Sequence, residues 1–154
     1  MSSLKDFTLL AKLEAMALDS HKIVKKFEKS ERHVLSADIR HTNATLVRLV
    51  IRAVKKQLEE RRLRLPMKGT KALLVDVDVE LEYLKTLVRM AFSLRQINEQ
   101  TYETWSRQIK EIGGMLGGWM KTVNADIEKK QGAAPGQTPR QTPAPEGRQG
   151  SLLG

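Results

Sequence analysis

The stretch Val75 to Tyr83, VDVDVELEY, decides the fold. It alternates strictly and is rich in valine, which is the pattern of a half-buried strand. A second pattern runs through it. Leu74, Val77, Leu81, Leu84, Val88 and Ala91 recur at spacings of three and four, which is the period of a helix. A strand would have to stop while this pattern carries on to Ala91, so the helical reading is preferred. It also settles the four acids of the stretch. On a helix, Asp76, Asp78, Glu80 and Glu82 sit at i, i+2 spacings that diverge by ~200° and cannot share one cation. They read as a solvated acidic face rather than a metal cluster.

Working outward, helical period covers most of residues 1–127. Ser3 is a candidate cap for a first helix reaching Lys26. Phe7, Leu10, Leu13 or Glu14, Ala17, Val24 and Phe27 are its expected stripe, with His21 where an apolar residue would stand. EKSER then interrupts. A second helix is expected from about Leu35 to Arg62, with Ile39, Leu46, Leu49, Val50, Ala53 and Leu58 inward. RLRLPMKGT holds Pro66 and Gly69 and reads as a connection. Thr70 is the expected cap of a third helix reaching about Gln96. Asn98 caps a fourth, from Glu99 to about Asn124. Four amphipathic helices with short connections predict an all-α, antiparallel four-helix bundle over residues 1–127. Residues 128–154 hold four of the five prolines and repeat QTP. With so little apolar content to bury, they read as a disordered tail.

The fourth helix contains EIGGMLGGWM, residues 111–120, with four glycines in ten positions. On helix-propensity scales four glycines cost about 3–4 kcal/mol relative to alanine. Yet Tyr102, Trp105, Ile109, Ile112, Leu116, Trp119 and Val123 keep one apolar face running straight through them. This speaks against a frayed helix end. A phosphate-cradling loop would need GxGxxG or a terminal GK[ST] after a strand, and GGMLGG has neither. Gly113 pairs with Gly117, and Gly114 with Gly118, at i, i+4. Such pairs clear a groove for close helix approach. Two grooves beside Trp119 predict one neighbour inside the bundle and a second outside it, another subunit or a partner.

The chain carries a net charge of +9 over 154 residues. Residues 48–71 hold Arg48, Arg52, Lys55, Lys56, Arg61, Arg62, Arg64, Lys68 and Lys71 against only Glu59 and Glu60, a net of +7. The charge is thus expected at one end of the molecule. Arg48, Arg52 and Lys55 fall at i, i+4 and i+7 on one stripe. Complementing a helix dipole accounts for two or three such cations, at ~0.3–1 kcal/mol each, but not for nine. A polyphosphate partner relieves their repulsion, so nucleic-acid binding is expected here. No aromatic interleaves the run, so contact should be with the backbone and weakly sequence-specific. Lys22, Lys25, Lys26 and Lys29, with Arg32 nearby, form a second, weaker cluster that reads first as dipole complement and solvated surface.

Other function classes find little support. There is no cysteine, which excludes disulfides, thiolate catalysis and cysteine-held metals. His21, His33 and His41 have no metal-ligand spacing, and no nucleophile motif frames the serines. No cofactor, no metal and no enzymatic activity are expected. The N-terminal stretch is charged throughout, unlike a signal peptide. No uncharged run approaches the ~20 apolar residues of a membrane helix. A cytoplasmic protein with no membrane partner is expected, the basic segment lacking the flanking Trp or Phe of a surface binder.

YETWSRQIKEIGGMLGGWMKT, residues 102–122, resembles the C-terminal helix of the accessory variability determinant (Avd) proteins of diversity-generating retroelements. KFEKSERHVLSADIR, residues 26–40, resembles that family's first interhelical loop and the start of its second helix. LLVDVDVELEYLKTLVRMAF, residues 73–92, is similar to its third. The resemblance covers about residues 7–124. It extends in part to the related bundle proteins of ribosomal RNA intervening sequences. Glu28, His33, Ser36 and Gly114 depart from the family pattern, standing in place of a proline, an aromatic, a glycine and a basic residue. The resemblance implies a ring-like homopentamer with a basic surface. It implies binding to nucleic acid, RNA or DNA, and to the retroelement's reverse transcriptase, in support of mutagenic copying of a template RNA into cDNA. The competing expectation is a helical adaptor that binds protein partners without nucleic acid.

Overall fold

The computed structural model describes residues 4–132, without the side chains of residues 4–7, 32 and 33. The elements are α1 (Leu4–Val24), a single turn α2 (Lys29–Glu31), a π-helical turn (Arg32–Ser36), α3 (Ala37–Arg62), α4 (Lys68–Ser93) and α5 (Glu99–Gly132). No strand occurs among the described residues. VDVDVELEY lies wholly inside α4. Val77 is buried while Val75 and Val79 are exposed. A strand would have put all three on one face.

Each long helix packs on two others. α3 lies between α1 and α4, and α5 lies between α4 and α1. Five-residue connections, 63–67 and 94–98, make the neighbours antiparallel. This is a four-helix bundle. α3 and α4, of 26 residues each, are about 39 Å long at 1.5 Å per residue. The core is mainly aliphatic, with Leu13, Met16, Ile39, Leu46, Val50, Leu74, Leu84, Ile112 and Leu116 closed around Phe27 and Trp105. One polar contact crosses it diagonally. The Trp119 indole N–H donates to Gln57 Oε1 at 2.7 Å.

Several boundaries and faces differ from the sequence expectations. In α1 the buried positions are Leu9, Leu13, Met16, Ser20 and Val24. Leu10 and Ala17 are half-buried, and Glu14 and His21 exposed. Leu13, Val24 and Phe27 are buried as expected, whereas the expectations at Leu10, Glu14 and Ala17 are one residue out of phase, because leucines on adjacent positions fit either face. Ser3 as a cap lies outside the described residues. α3 starts at Ala37, not Leu35, since the π turn occupies the preceding residues. It buries Thr42, Asn43, Gln57 and Glu60 beside its apolar residues, which an apolar stripe does not reveal.

Thr70 does not cap α4. The helix begins two residues earlier, at Lys68. The cap comes from α3 instead. The Glu60 carboxylate accepts from Gly69 N at 2.8 Å, Thr70 N at 3.1 Å and Thr70 Oγ1 at 2.6 Å. α4 ends at Ser93, short of Gln96. Asn98 does cap α5, its Oδ1 accepting from Thr101 N at 2.8 Å. α5 continues past Asn124 to Gly132, so the first five residues assigned to the tail are helical. The rest of the tail lies outside the described residues. The extension is anchored: Asp126 accepts from Met67 N at 3.1 Å, and Lys130 donates to Leu65 O at 3.0 Å.

Gly113, Gly114 and Gly117 do not make the close contact expected of them among the described residues. A β-carbon at Gly113 would meet only Leu81 Cδ2, at an ordinary 3.7 Å. At Gly114 and Gly117 it would meet nothing within 4 Å. Gly118 is half-buried, and its carbonyl accepts from Thr122 Oγ1 at 3.2 Å. The inner neighbour packs at side-chain distance, and the outer face at Gly114 and Gly117 is open among the described residues.

Candidate nucleic-acid interface

α3 buries Ile39, Leu46, Val50, Ala53 and Gln57 against the bundle. Positions rotated about half a turn from these point outward. Arg48, Arg52, Lys55 and Arg62 are those positions, and all are exposed. The three at i, i+4 and i+7 therefore form the stripe their spacing predicts, spanning about 10 Å of helix. Arg61, Arg64, Lys68 and Lys71 are also exposed and carry the charge around the turn into α4. The nine cations thus cover the second half of α3 and one end of the bundle. They are not confined to the end, as the sequence suggested.

The turn is rigidly built. Leu65 N donates to Glu60 O at 2.8 Å, and Arg64 N to Arg61 O at 3.1 Å. This crossed pair closes a helix through a residue in the left-handed region, normally glycine. Here it is Arg64, at φ 57°. α4 ends the same way, with Gln96 N donating to Ala91 O at 2.9 Å, Arg95 N to Phe92 O at 3.0 Å, and Arg95 at φ 61°. A β-carbon in this region costs ~1–2 kcal/mol. Neither arginine was readable as strained, since nothing in the sequence marks a left-handed arginine.

Lys56 stands apart from the other eight. Its Nζ pairs with Glu59 at 3.1 Å, and its stem lies over Gly69. It packs the α3–α4 seam and is less available than its neighbours. Arg48, Arg52, Lys55, Arg62, Arg64, Lys68 and Lys71 join no ion pair among the described residues. None of the acids of VDVDVELEY forms an ion pair with them among the described residues. Asp78 and Glu82 line a groove of about 530 Å³ between α4 and α5, with Lys85 and Lys110, on the flank of α4 away from α3. No group of three His, Cys, Asp or Glu able to hold a metal occurs among the described residues. No helix among them is long and apolar enough to cross a membrane.

α4 also presents an outward apolar line. Val75, Val79, Tyr83 and Met90 are exposed, Val79 by 59%. This surface was missed in the sequence, where Val75, Val79 and Tyr83 were read only for the strand-like alternation of VDVDVELEY. Tyr83 donates to Asp38 Oδ2 of α3 at 3.4 Å. Loss of hydration, then the Asp38 and Glu80 carboxylates, raise its phenol above the ordinary value near 10.

A cationic four-helix bundle with an exposed apolar face is the class these features define. The sequence matches the model of the bAvd-like family over residues 7–123. The match takes in all four long helices, and the chain belongs to that family. No curated protein matches it.

Proposed function

We propose that this protein is a nucleic-acid-binding accessory protein of a diversity-generating retroelement. In this reading it binds the reverse transcriptase and the template RNA or its cDNA, and supports mutagenic retrohoming. It has no catalytic activity of its own and acts in the cytoplasm without a membrane partner. Its mechanism is electrostatic: phosphates gather on Arg48, Arg52, Lys55 and the α3–α4 turn and are held near the polymerase. The observation that carries this is the exposure of Arg48, Arg52, Lys55, Arg62, Arg64, Lys68 and Lys71, none of them in an ion pair among the described residues. Family membership supports it. Self-association finds support in the apolar line on α4 and the open glycines of α5; a pentameric ring is what the family resemblance implies.

The test is fluorescence anisotropy of labelled single-stranded RNA and duplex DNA across a salt series. The log affinity should fall linearly with log salt, with a slope of about −0.7 per phosphate contact for the single strand. Arg48→Glu with Arg52→Glu should weaken binding of both ligands. Unchanged affinity in that variant would remove this surface from the proposal. The same apolar line on α4 favours the adaptor reading, which gains if the folded wild-type protein binds neither ligand at low salt.

A further inference from the structure

A second cationic surface lies at the opposite end of the bundle. Lys22, Lys25, Lys26 and Lys29 come from the end of α1 and its connection, and Arg95 from the α4–α5 turn. All are exposed and in no ion pair among the described residues. They are far apart in sequence, but one side chain pins the two segments together. Gln96 Oε1 accepts from Glu28 N at 2.7 Å, and its Nε2 donates to Glu28 Oε1 at 3.1 Å. Lys22 and Lys26, one helical turn apart, edge two adjoining grooves between α1 and α5, of about 330 and 230 Å³, which share Lys22, Ile23 and Thr101.

These grooves are rich in donors. Gln100, Thr101 and Thr104 line the larger one, and its one acid, Asp19, already accepts from Gln108 at 2.9 Å. Trp105 also lines it, is 1% exposed, and its indole N–H has no acceptor in the protein. A buried donor without a partner is disfavoured unless something from outside accepts from it. Two lysines, several neutral donors and one unsatisfied N–H fit a ligand that is anionic and carries many acceptors. A phosphodiester strand is such a ligand.

We propose that the α1–α5 groove is a second nucleic-acid site, with phosphates on Lys22 and Lys26 and Arg95 at its mouth. The inference rests on the nucleic-acid reading above. It goes beyond it by giving one protomer two strand sites, separated by the length of the bundle. One protomer then holds two segments of nucleic acid apart from each other, rather than one segment on a single patch.

Trp105 supplies a local readout. A short oligouridylate is titrated while tryptophan emission is followed. The Trp119→Phe variant isolates Trp105, and hydrogen exchange at residues 19–26 and 96–108 reads the same site should that variant not fold. The oligonucleotide should change Trp105 emission in the wild type and in Arg48→Glu/Arg52→Glu at similar concentrations. The affinity so read should fall about tenfold or more in Lys22→Gln/Lys26→Gln, as expected for lost phosphate contacts. An unchanged response in the lysine variant overturns the site. So does a response lost only in the arginine variant, or no response in the wild type while anisotropy still reports binding. An equal response to inorganic phosphate at matched phosphate concentration would make it a free-anion site and also overturn it. Failure of the first reading is separate, being seen as unaltered anisotropy in the arginine variant.

Discussion

Glu60 and Thr70 are joined by two hydrogen bonds, from the threonine amide and hydroxyl to one carboxylate oxygen, while the other oxygen accepts from Gly69 N. The last turn of α3 thereby caps the first turn of α4. The arrangement places a buried negative charge where a helix N-terminus favours it. It also favours glycine at 69, since a β-carbon there would lie 2.7 Å from Glu60 Oε2 and against the Lys56 stem, and those side chains would have to shift. Glu60→Ala should destabilise the fold by about 2–3 kcal/mol, the range for a hydrogen-bonded charged group. Glu60→Gln should destabilise less, as it keeps one acceptor. Gly69→Ala should weaken the fold by ~1 kcal/mol through displacement of the cap. Urea unfolding monitored by circular dichroism measures all three. A loss under 0.5 kcal/mol in Glu60→Ala would show that solvent replaces the carboxylate.

Arg64 occupies a position at which glycine is less strained. Arg64→Gly should therefore raise stability, by up to ~1 kcal/mol, and lower affinity for RNA. The opposed signs are the informative part. A residue kept for packing would lose stability on replacement, whereas one kept for its guanidinium gains stability and loses binding. Thermal unfolding and anisotropy on the same preparation decide between them.

The residues that were legible in the sequence were those whose spacing has a single geometric reading. The helical nature of VDVDVELEY followed from Leu74 to Ala91 at threes and fours. The outward stripe of Arg48, Arg52 and Lys55 followed from i, i+4, i+7. Asn98 as a cap was local chemistry and is seen as such. The failures have a common cause in long-range contacts. Thr70 looks like a cap because its partner, Glu60, lies ten residues away across a turn. The phase of α1 was ambiguous because Leu9 and Leu10 adjoin, and only the neighbouring helices choose between them. The grouping of Arg95 with the α1 lysines depends on Gln96 meeting Glu28, 68 residues apart, which no local pattern records.

Tyr83 gives a pH-dependent readout of the α3–α4 seam. Its phenol is raised above the ordinary value near 10 by lost hydration and by the Asp38 and Glu80 carboxylates. The folded state therefore holds this proton more tightly than the unfolded chain. The associated stabilisation is fully present below the unfolded value and is lost as pH rises through the folded one. Acid and neutral pH leave it untouched. Asp38→Asn removes one of the two carboxylates and should move the phenol's titration downward. Ultraviolet difference absorbance on wild type and variant measures the shift. Identical curves would detach Tyr83 from Asp38 in solution.

Gly114 and Gly117 separate protomer stability from assembly. A β-carbon at either would meet nothing within 4 Å, so alanine should favour the helix by ~0.5–1 kcal/mol at each position. Nothing among the described residues opposes the change, which makes a contact beyond the four helices the explanation to test. If α5 packs closely on a second copy through these positions, added methyl groups separate the two helices and weaken the contact. Gly114→Ala/Gly117→Ala should then unfold at higher temperature as a diluted protomer, yet dissociate at higher concentration than the wild type. Sedimentation over a dilution series gives the second quantity. An assembly of unaltered mass and affinity would move the subunit contact to the apolar line of Val75, Val79, Tyr83 and Met90 on α4.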